Sequence, residues 1–402
     1  MLRLPIENTS DKKGEIMAEW KNYTLEEVCE RIYSGGTPST KHEEYWNGDI
    51  KWLSSGETSQ RFVYDTERKI TQEGVENSST KLATKGCTVI ATAGQGYTRG
   101  QASFLMTDTY MNQSVIACKA NENVILPLYL YYNLDSRYEE FRLLSDGTST
   151  RGGLSGWILK RMEIKLPPKS SQKKIIDILY SIDRKIEENK AINNNLEQQA
   201  QAIFKSWFID FEPFSNRKPS DWSLSTLGNV SIMGAGGDKP QNVSPIKTDL
   251  YEYPIYSNGL SNEGLYGFTD KPKISEESVT VSARGTIGFV CLRHIPYVPI
   301  VRLVTLIPKT EIVSAKYLYL WLKQLHITGT GTTQQQLTVP DFQKTEILVP
   351  SQKIVTLFTA TVEPIFEKIW ANQNENEKLS SLRDTLLPKL MSGELDVSDI
   401  DL

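Results

Sequence analysis

The sequence predicts an α+β protein in which two repeated mixed α/β domains are separated by two long antiparallel coiled-coil helices. Three observations support this fold class. A heptad pattern without a break follows residue 171, the same pattern returns 183 residues later, and the segments that precede the two patterns also repeat. Apolar residues at alternating spacings of three and four positions are typical of a helix that packs lengthwise against another helix.

The first long helix is predicted over residues 171–208, which contain no Pro or Gly. At about 1.5 Å per residue it is roughly 55 Å long. Its seam contains two Asn residues, and polar residues at seam positions lower stability but specify register and partner. The seam consists of Ile175, Leu179, Ile182, Ile186, Asn189, Asn193, Leu196, Ala200, Ile203 and Trp207.

The second long helix repeats this seam, including the paired Asn residues. It consists of Phe358, Val362, Ile365, Ile369, Asn372, Asn376 and Leu379. We therefore expect the two helices to pack against each other with Asn facing Asn. The alternative is that both are surface helices of larger domains with solvated Asn side chains. Pro364 lies inside the second helix and predicts a bend or a new first turn there.

The first globular domain is predicted over residues 20–169. Its strand patterns lie at residues 49–53, 87–92 and 162–166. A helix is predicted from residue 126 towards residue 143. Loops rich in Gly and polar residues are predicted at residues 34–41, 94–100 and 147–153.

The second globular domain, residues 222–350, repeats this order with less identity. Trp222 follows Trp20 by 202 positions, whereas Ile347 follows Ile164 by 183, so the second domain is shorter. Its loops at 236–240, 283–288 and 331–337 correspond to the three loops of the first domain. The other predicted segments are an N-terminal extension at 1–19, long helices at 170–208 and 351–392, a linker at 209–221 and an acidic tail at 393–402.

The charge is distributed unevenly along the chain. The net charge of −4 is accounted for by residues 370–402, which carry three positive and seven negative side chains. Residues 20–170 and 221–350 are each balanced. A surface that binds nucleic acid must therefore consist of local patches on neutral domains.

The apolar segments are too short to cross a membrane, and the N-terminus does not have the pattern of a signal peptide. The four cysteines have neither metal-ligand spacing nor a pattern of pairs: Cys29, Cys87, Cys118 and Cys291. Reduced thiols of this kind are typical of the cytoplasm, and we expect a cytoplasmic protein without a membrane partner.

Motifs for catalysis are missing from the sequence. It contains no phosphate-binding Gly-x4-Gly-Lys-Ser/Thr loop and no Asn/Asp-Pro-Pro-Tyr/Phe motif of amino-methyltransferases. Its three histidines are far apart, and the segment 340–344 resembles a nuclease motif but lacks the acidic residue beside Lys344. We expect no catalytic residue and no metal site. An enzyme with an unrecognised site is an alternative that this absence disfavours.

The polar loops of both domains carry side chains that suit DNA. Arg and Lys bind phosphates, and Arg and Gln also bind guanine and adenine edges in the major groove. For any single residue, the alternative is an ordinary solvated loop position. The candidates of the first domain are Thr37, Ser39, Lys41, Gln95, Tyr97, Thr98, Arg99 and Arg151. Those of the second domain are Lys239, Asn258, Arg284, Thr286, Gln334, Gln335 and Gln336.

Four segments together resemble the specificity subunit of type I restriction-modification systems. They are residues 34–41, 45–53, 203–214 and 382–395. The resemblance covers nearly the whole chain from Trp20 onward, and the extension before Trp20 departs from the family pattern.

The resemblance implies two target-recognition domains that each read one half of a bipartite DNA site, with the helices as a ruler for the gap. It also implies partners: two modification subunits, which bind S-adenosylmethionine and methylate adenine, and restriction subunits, which use ATP and Mg²⁺. This chain would bind none of these cofactors. A scaffold that binds proteins and a DNA-binding regulator without restriction partners are the alternatives.

Overall fold

The chain folds into two units, each built from one predicted globular domain and a part of both long helices. The computed structural model describes residues 20–94, 96–146, 153–329 and 336–397. Unit 1 combines the chain up to Glu187 with the chain from Glu375 onward, and unit 2 is Glu188–Asn374.

Unit 1 begins with a strand and a short helix whose start is encoded locally. Thr24 caps the helix, and the carboxylate of Glu27 accepts a 2.6 Å hydrogen bond from the backbone N–H of Thr24, which forms a capping box. The elements are β1 (Lys21–Thr24), α1 (Leu25–Val28), β2 (Cys29–Ser34), β3 (Trp46–Leu53), β4 (Phe62–Val63), β5 (Arg68–Ile70), α2 (Gln72–Glu76), β6 (Lys81–Ala83), β7 (Thr88–Ala91), β8 (Ala102–Leu105), β9 (Thr109–Met111), β10 (Val115–Ala120), α3 (Pro127–Asp135), α4 (Tyr138–Asp146), α5 (Gly156–Arg161) and β11 (Glu163–Leu166).

The strands of unit 1 form three sheets. The central sheet has the order β2-β10-β7-β8-β4, a second has the order β5-β3-β9-β6, and β1 pairs with β11. Helix α3 packs on the central sheet through its buried Tyr side chains. The same hydrophobic core contains Ile175 and Leu179 of the first long helix and Leu390 near the end of the second.

Unit 2 repeats this arrangement. Its elements are β12 (Ser223–Thr226), α7 (Leu227–Val230), β13 (Ser231–Ala235), β14 (Tyr253–Tyr256), β15 (Leu265–Thr269), β16 (Ser278–Val281), β17 (Val290–Arg293), β18 (Val298–Pro299), β19 (Val304–Pro308), α8 (Ala315–Gln324), α9 (Val339–Phe342) and β20 (Glu346–Val349). The sheet orders are β13-β19-β16-β17, β15-β14-β18 and β12-β20. The strand pairs β1–β11 and β12–β20 keep the two offsets seen in the sequence, 202 and 183.

The two long helices are α6 (Lys169–Phe208, 40 residues) and α10 (Gln352–Ser392, 41 residues). Each is about 60 Å long. In the part of the chain that the structure describes, no helix is both long enough and apolar enough to cross a membrane. All four cysteines are buried and unpaired.

The helices run antiparallel within each unit, as the fold class predicts. In unit 2 the amide nitrogen of Asn372 donates to the amide oxygen of Asn193 over 2.8 Å, and Asn193 donates to the carbonyl of Ile369 over 3.1 Å. The expectation that Asn faces Asn is therefore confirmed for this pair. Asn189 is also buried.

The buried face of α6 shifts away from the predicted seam towards the end of the helix. Phe204 and Phe208 are fully buried, whereas Ile203 and Trp207 are only half-buried. In α10 Phe366 is similarly more buried than Ile365. A straight helix with 3.6 residues per turn drifts from a strict heptad, and the aromatic side chains follow the drift into the core of unit 2.

One sequence-based expectation about helices is wrong. The helix predicted from residue 126 towards 143 is two helices, α3 and α4, with a break after Asp135. The Ser136 hydroxyl donates to the carbonyl of Asn133, so a side chain here competes with the helix backbone, and Arg137 donates to the carbonyl of Glu163 in β11. At Pro364 helix α10 is continuous, which excludes a new first turn there, and the alternative of a bend stays a prediction.

Candidate nucleic-acid interface

Three loops of unit 1 meet at one edge of its central sheet. Strands β2 and β7 end, and β10 begins, at the same edge, because the antiparallel register pairs Val115 with Ala91 and Ile116 with Ser34. The loops connected to these strand ends therefore lie side by side. They form what we call the loop edge of unit 1: the described residues 35–42, 92–94, 96–101 and 112–114.

Hydrogen bonds hold the first of these loops against the third. Gly36 donates from its backbone to the carbonyl of Met111 over 3.0 Å, and the Thr37 hydroxyl donates to the amide oxygen of Gln113. Only glycine fits at this close approach, because a Cβ on Gly35 would lie 1.9 Å from the carbonyl oxygen of Met111. The Gly-Gly-Thr segment thus fixes the loop, and the hydroxyl of Thr37 contributes through its hydrogen bond to Gln113.

The remaining candidates of unit 1 differ in exposure. Ser39 and Lys41 are exposed, and Thr98 and Arg99 are half-buried. The indole nitrogen of Trp46 donates to the carbonyl of Ser39 over 3.2 Å, which fixes the backbone beside the exposed side chains.

The loop around Tyr97 is held by its backbone, and the Tyr97 side chain is left exposed. Arg142 donates to the carbonyl of Gly96 over 2.7 Å, and the Tyr138 hydroxyl donates to the carbonyl of Tyr97 over 3.0 Å. The side chain of Tyr97 is 83% exposed. An aromatic ring presented in this way suits stacking or hydrogen bonding to a nucleic acid.

Unit 2 has an equivalent loop edge. Strands β13 and β16 end where β19 begins, since Ala235 and Val281 both pair with Val304. Gly236 donates to the carbonyl of Leu303 over 2.8 Å, as Gly36 does to Met111 in unit 1. The loop edge of unit 2 consists of residues 236–240, 257–260, 282–289 and 300–303.

Asn258 braces this edge. Its amide oxygen accepts from the backbone N–H of Ala283, and its amide nitrogen donates to the carbonyl of Val301, both over 2.7 Å. Val301 and Arg302 have φ values of 51° and 62°, a left-handed turn that is unfavourable for a β-branched residue. Asn258 therefore stabilises the turn and has both ends of its amide occupied.

Three other candidates lie in the loops of this edge. Lys239 and Arg284 are exposed, and Arg284 donates to the side-chain oxygen of Gln336 over 2.8 Å. The side-chain oxygen of Thr286 is buried and has no hydrogen-bond partner within the described ranges. Polar groups of this kind are available to a ligand that reaches the loop.

Some candidates lie outside the described residues, namely Gln95, Arg151, Gln334 and Gln335. The residues that follow two of these segments are described. Leu154 donates from its backbone to the carbonyl of Thr92, and Leu337 does so to the carbonyl of Ala283, each over 3.0 Å. The third predicted loop of each domain therefore ends at the loop edge.

Sequence reasoning missed a buried arginine that shapes unit 2. Arg293 is 3% exposed and lies 3.6 Å over the ring of Tyr256. It donates to the hydroxyl of Thr280 over 3.0 Å and to the carbonyl of Glu263 over 2.7 Å. These contacts hold the turn that precedes β15. The local sequence carries no signal for them, because the partners come from separate strands and loops.

Two features of the described residues bear on catalysis. No group of three or more His, Cys, Asp and Glu side chains among them could hold a metal ion. Burial raises the pKa of Cys291 to about 12, and burial together with the nearby Cys87 raises the pKa of Tyr33 to about 12. Both groups are neutral at pH 7, which does not suit a nucleophile or a general base.

The chain is similar to proteins of one family along most of its length. Residues 17–198 and 219–380 match the type I restriction modification DNA specificity domain. The MjaIX specificity subunit of Methanocaldococcus jannaschii is 29% identical over 96% of each chain. The HindI specificity subunit of Haemophilus influenzae is 26% identical over 94% of this chain and all of its own. The crystal structure of the S subunit from M. genitalium shares the fold, with a TM-score of 0.55 and 18% identity over 92% of this chain and 96% of its own.

Proposed function

Because the chain belongs to the type I restriction modification DNA specificity family, we propose that each of its two domains reads one half of a bipartite DNA sequence. The chain supplies sequence specificity to a restriction-modification complex and is a recognition subunit without a catalytic role. Unit 1 contacts one half-site through its loop edge, and unit 2 contacts the other.

One observation supports this division of labour above all. Each unit brings its loops together at one edge of its own central sheet, and these two edges are equivalent. The side chains that occupy the two edges are different. Unit 1 presents Ser39, Lys41 and Tyr97 there, and unit 2 presents Lys239 and Arg284. Equivalent scaffolds with different polar loops suit the reading of two different short sequences, since base edges are distinguished by the side chains that face them.

The long helices supply the distance between the two half-sites. A helix of about 60 Å is longer than one turn of DNA, which measures about 34–36 Å. Each unit contains residues of both helices, and neither loop edge does, so a change in helix length leaves both loop edges unaltered. The gap in the recognised sequence then follows from the length of the helices.

The complex is completed by partner subunits. Two modification subunits bind S-adenosylmethionine and methylate adenine in the site, and restriction subunits use ATP and Mg²⁺. These assignments are inferred from the family to which the chain belongs. Double-stranded DNA is the ligand that the chain itself binds.

The experiment that tests this function is long-read sequencing for N6-methyladenine in cells that express the chain with the modification subunit of its own system. We expect a split motif with two defined halves and a fixed gap, lost when the gene for this chain is deleted. Methylation that persists without the chain would contradict the proposal and would favour a scaffold or an independent DNA-binding regulator.

A further inference from the structure

Arg68 stacks on an aromatic ring next to the loop edge of unit 1, and it belongs to none of the loops that form this edge. The guanidinium carbon of Arg68 lies 3.7 Å from the ring centre of Trp46 and 5.4 Å from that of Trp52. The two indoles meet edge to face, with 5.1 Å between their centres. The Arg68 guanidinium is therefore held over an aromatic surface, although the residue is exposed.

Both indoles fix this arginine relative to the first recognition loop. The nitrogen of Trp46 donates to the carbonyl of Ser39, and that of Trp52 donates to the carbonyl of Gly36, each over 3.2 Å. Arg68 and Trp52 are direct partners in the strand pair β3–β5. The guanidinium thus lies on the Trp46 ring, whose nitrogen is bonded to the backbone of Ser39 in the first loop of this edge.

Unit 2 also has a cation over an aromatic ring beside its loop edge. The ammonium of Lys239 lies 5.9 Å from the ring centre of Tyr266. Lys239 belongs to the loop after β13, which corresponds to the loop after β2, and Tyr266 belongs to β15, which corresponds to β5. The pair joins β5 to β3 in unit 1 and joins β15 to the loop after β13 in unit 2, so the two units use different elements for a similar contact.

The polar edge of Arg68 is available to a ligand. Within the described ranges its guanidinium forms no ion pair with a carboxylate, although Arg61 and Arg293 in the same protein do so. Stacking covers the face of a guanidinium and leaves the N–H groups at its rim pointing outward in one plane. That arrangement matches the oxygens of a phosphate, which bind two N–H groups side by side.

We propose that Arg68, held on Trp46, binds a phosphate of the DNA backbone beside the first half-site, and that Lys239 on Tyr266 does the same beside the second. This inference rests on the proposed function, because it assumes that the loop edges face DNA. The two cations position each domain on its half-site and do not read bases.

The test is DNA binding by the complex of the chain with its modification subunits, over a range of salt concentrations. The probe is a duplex that carries the motif which the complex methylates. It is compared with a duplex in which both halves of this motif are scrambled. For Arg68→Ala we expect weaker binding to both duplexes by a similar factor. The slope of log affinity against log salt should decrease by about one, as for the loss of one phosphate contact.

Arg31→Ala is the matched control. Arg31 is also exposed and lies 4.3 Å over a ring, that of Tyr33, but it is on β2, four residues before the loop edge begins. It should leave affinity and salt slope unchanged. Arg68→Lys keeps the charge and should recover most of the slope.

Two outcomes would overturn the inference while leaving the proposed function intact. One is an Arg68→Ala variant that binds both duplexes as the Arg31→Ala variant does. The other is a variant that methylates an altered motif, which would make Arg68 a base-reading residue. If the wild-type complex did not distinguish the two duplexes, the proposed function itself would fail.

Discussion

Asp183 on helix α6 accepts a hydrogen bond of 2.9 Å from Arg383 on helix α10, and both side chains are almost fully buried. Asp183 also accepts from the hydroxyl of Tyr132 over 2.8 Å, and Arg61 lies 3.3 Å from it. Arg61 in turn pairs with Asp135 over 2.9 Å; burial raises the pKa of Asp135, although Arg61 opposes this shift. One carboxylate thus connects both long helices of unit 1 to its globular part.

Replacing Asp183 by Ala should strongly destabilise unit 1. The change removes a carboxylate that pairs with the positive charges of Arg61 and Arg383. Breaking a buried ion pair of this kind lowers the free energy of unfolding by about 3–5 kcal/mol. Unfolding by urea, followed by tryptophan fluorescence, measures the loss. Lys185→Ala is the control, since Lys185 forms an exposed pair with Glu375 at 3.7 Å and should cost less than about 1 kcal/mol. Equal losses for the two variants would contradict this role of Asp183.

The Asn pair in the seam should behave as a unit. Asn372→Leu removes the donor to Asn193 and leaves a half-buried amide oxygen without its partner, which should cost about 1–3 kcal/mol. The double variant Asn193→Leu/Asn372→Leu replaces both amides by apolar groups and should recover most of that loss. Urea unfolding of the two single variants and the double variant gives the coupling. Strictly additive losses would show that the pair does not interact.

The long helices and the order of the repeats follow from the sequence because both depend on periodicity. A seam such as that beginning at Ile175 and Leu179 is a local property, and it returns at Phe358 and Val362 with a constant offset. The structure places all four of these side chains in the cores. The loop predicted at residues 34–41 is also a local property, since its Gly, Pro and Ser residues disfavour regular structure.

Other features could not be read from the sequence because they depend on distant partners. The break after Asp135 is accompanied by contacts to Arg61, which is more than 70 residues away in the sequence. Asn258 has the polar side chain of a DNA-reading residue, yet its amide braces two loops that only tertiary folding brings to it. Polarity on a loop therefore predicts that a side chain forms hydrogen bonds, but not with which partner.

His294 should make the stability of unit 2 depend on pH. It stacks on Trp370 with 4.1 Å between the ring centres. Partial desolvation of the stacked ring, and then the positive charges of Lys316 and Arg293, lower the pKa of His294 to about 4, whereas an unfolded chain has a histidine pKa near 6.5. Between these values the unfolded state binds more protons, so the free energy of unfolding should fall as the pH decreases from about 6.5 to about 4.

The His294→Phe variant isolates this contribution because phenylalanine keeps the ring on Trp370 and cannot bind a proton. The difference in free energy of unfolding between wild type and variant should change by about 1 kcal/mol across this pH window, a value reduced because His294 is exposed to solvent. Urea unfolding at several pH values provides the measurement. A difference that stays constant with pH would show that His294 does not titrate in this way.

Arg284 should affect only the half-site that unit 2 reads. Arg284→Ala removes an exposed guanidinium that is oriented by Gln336, and a good arginine contact to a base is worth about 1–3 kcal/mol of discrimination. We expect the second half of the methylated motif to become degenerate at one position while the first half is unchanged, as seen by methylation sequencing. Lys309→Ala, at the opposite end of β19, is the control and should leave both halves intact. A change in the first half would contradict the assignment of one half-site to each unit.

The length of the long helices should determine the gap between the half-sites. Duplicating residues 187–193 together with 370–376 adds one heptad to each helix at corresponding positions, which keeps the seams in register and retains the pair of Asn193 and Asn372. Seven residues span about 10.5 Å along a helix, or about three base pairs of DNA, so the gap should lengthen by about that number. Methylation sequencing reads the gap and both half-sequences in one experiment. Inserting three residues in each helix is the control, because it rotates the seams apart and should abolish methylation. A lengthened helix pair that methylated the original spacing, or that changed the half-sequences, would rule out the helices as the ruler.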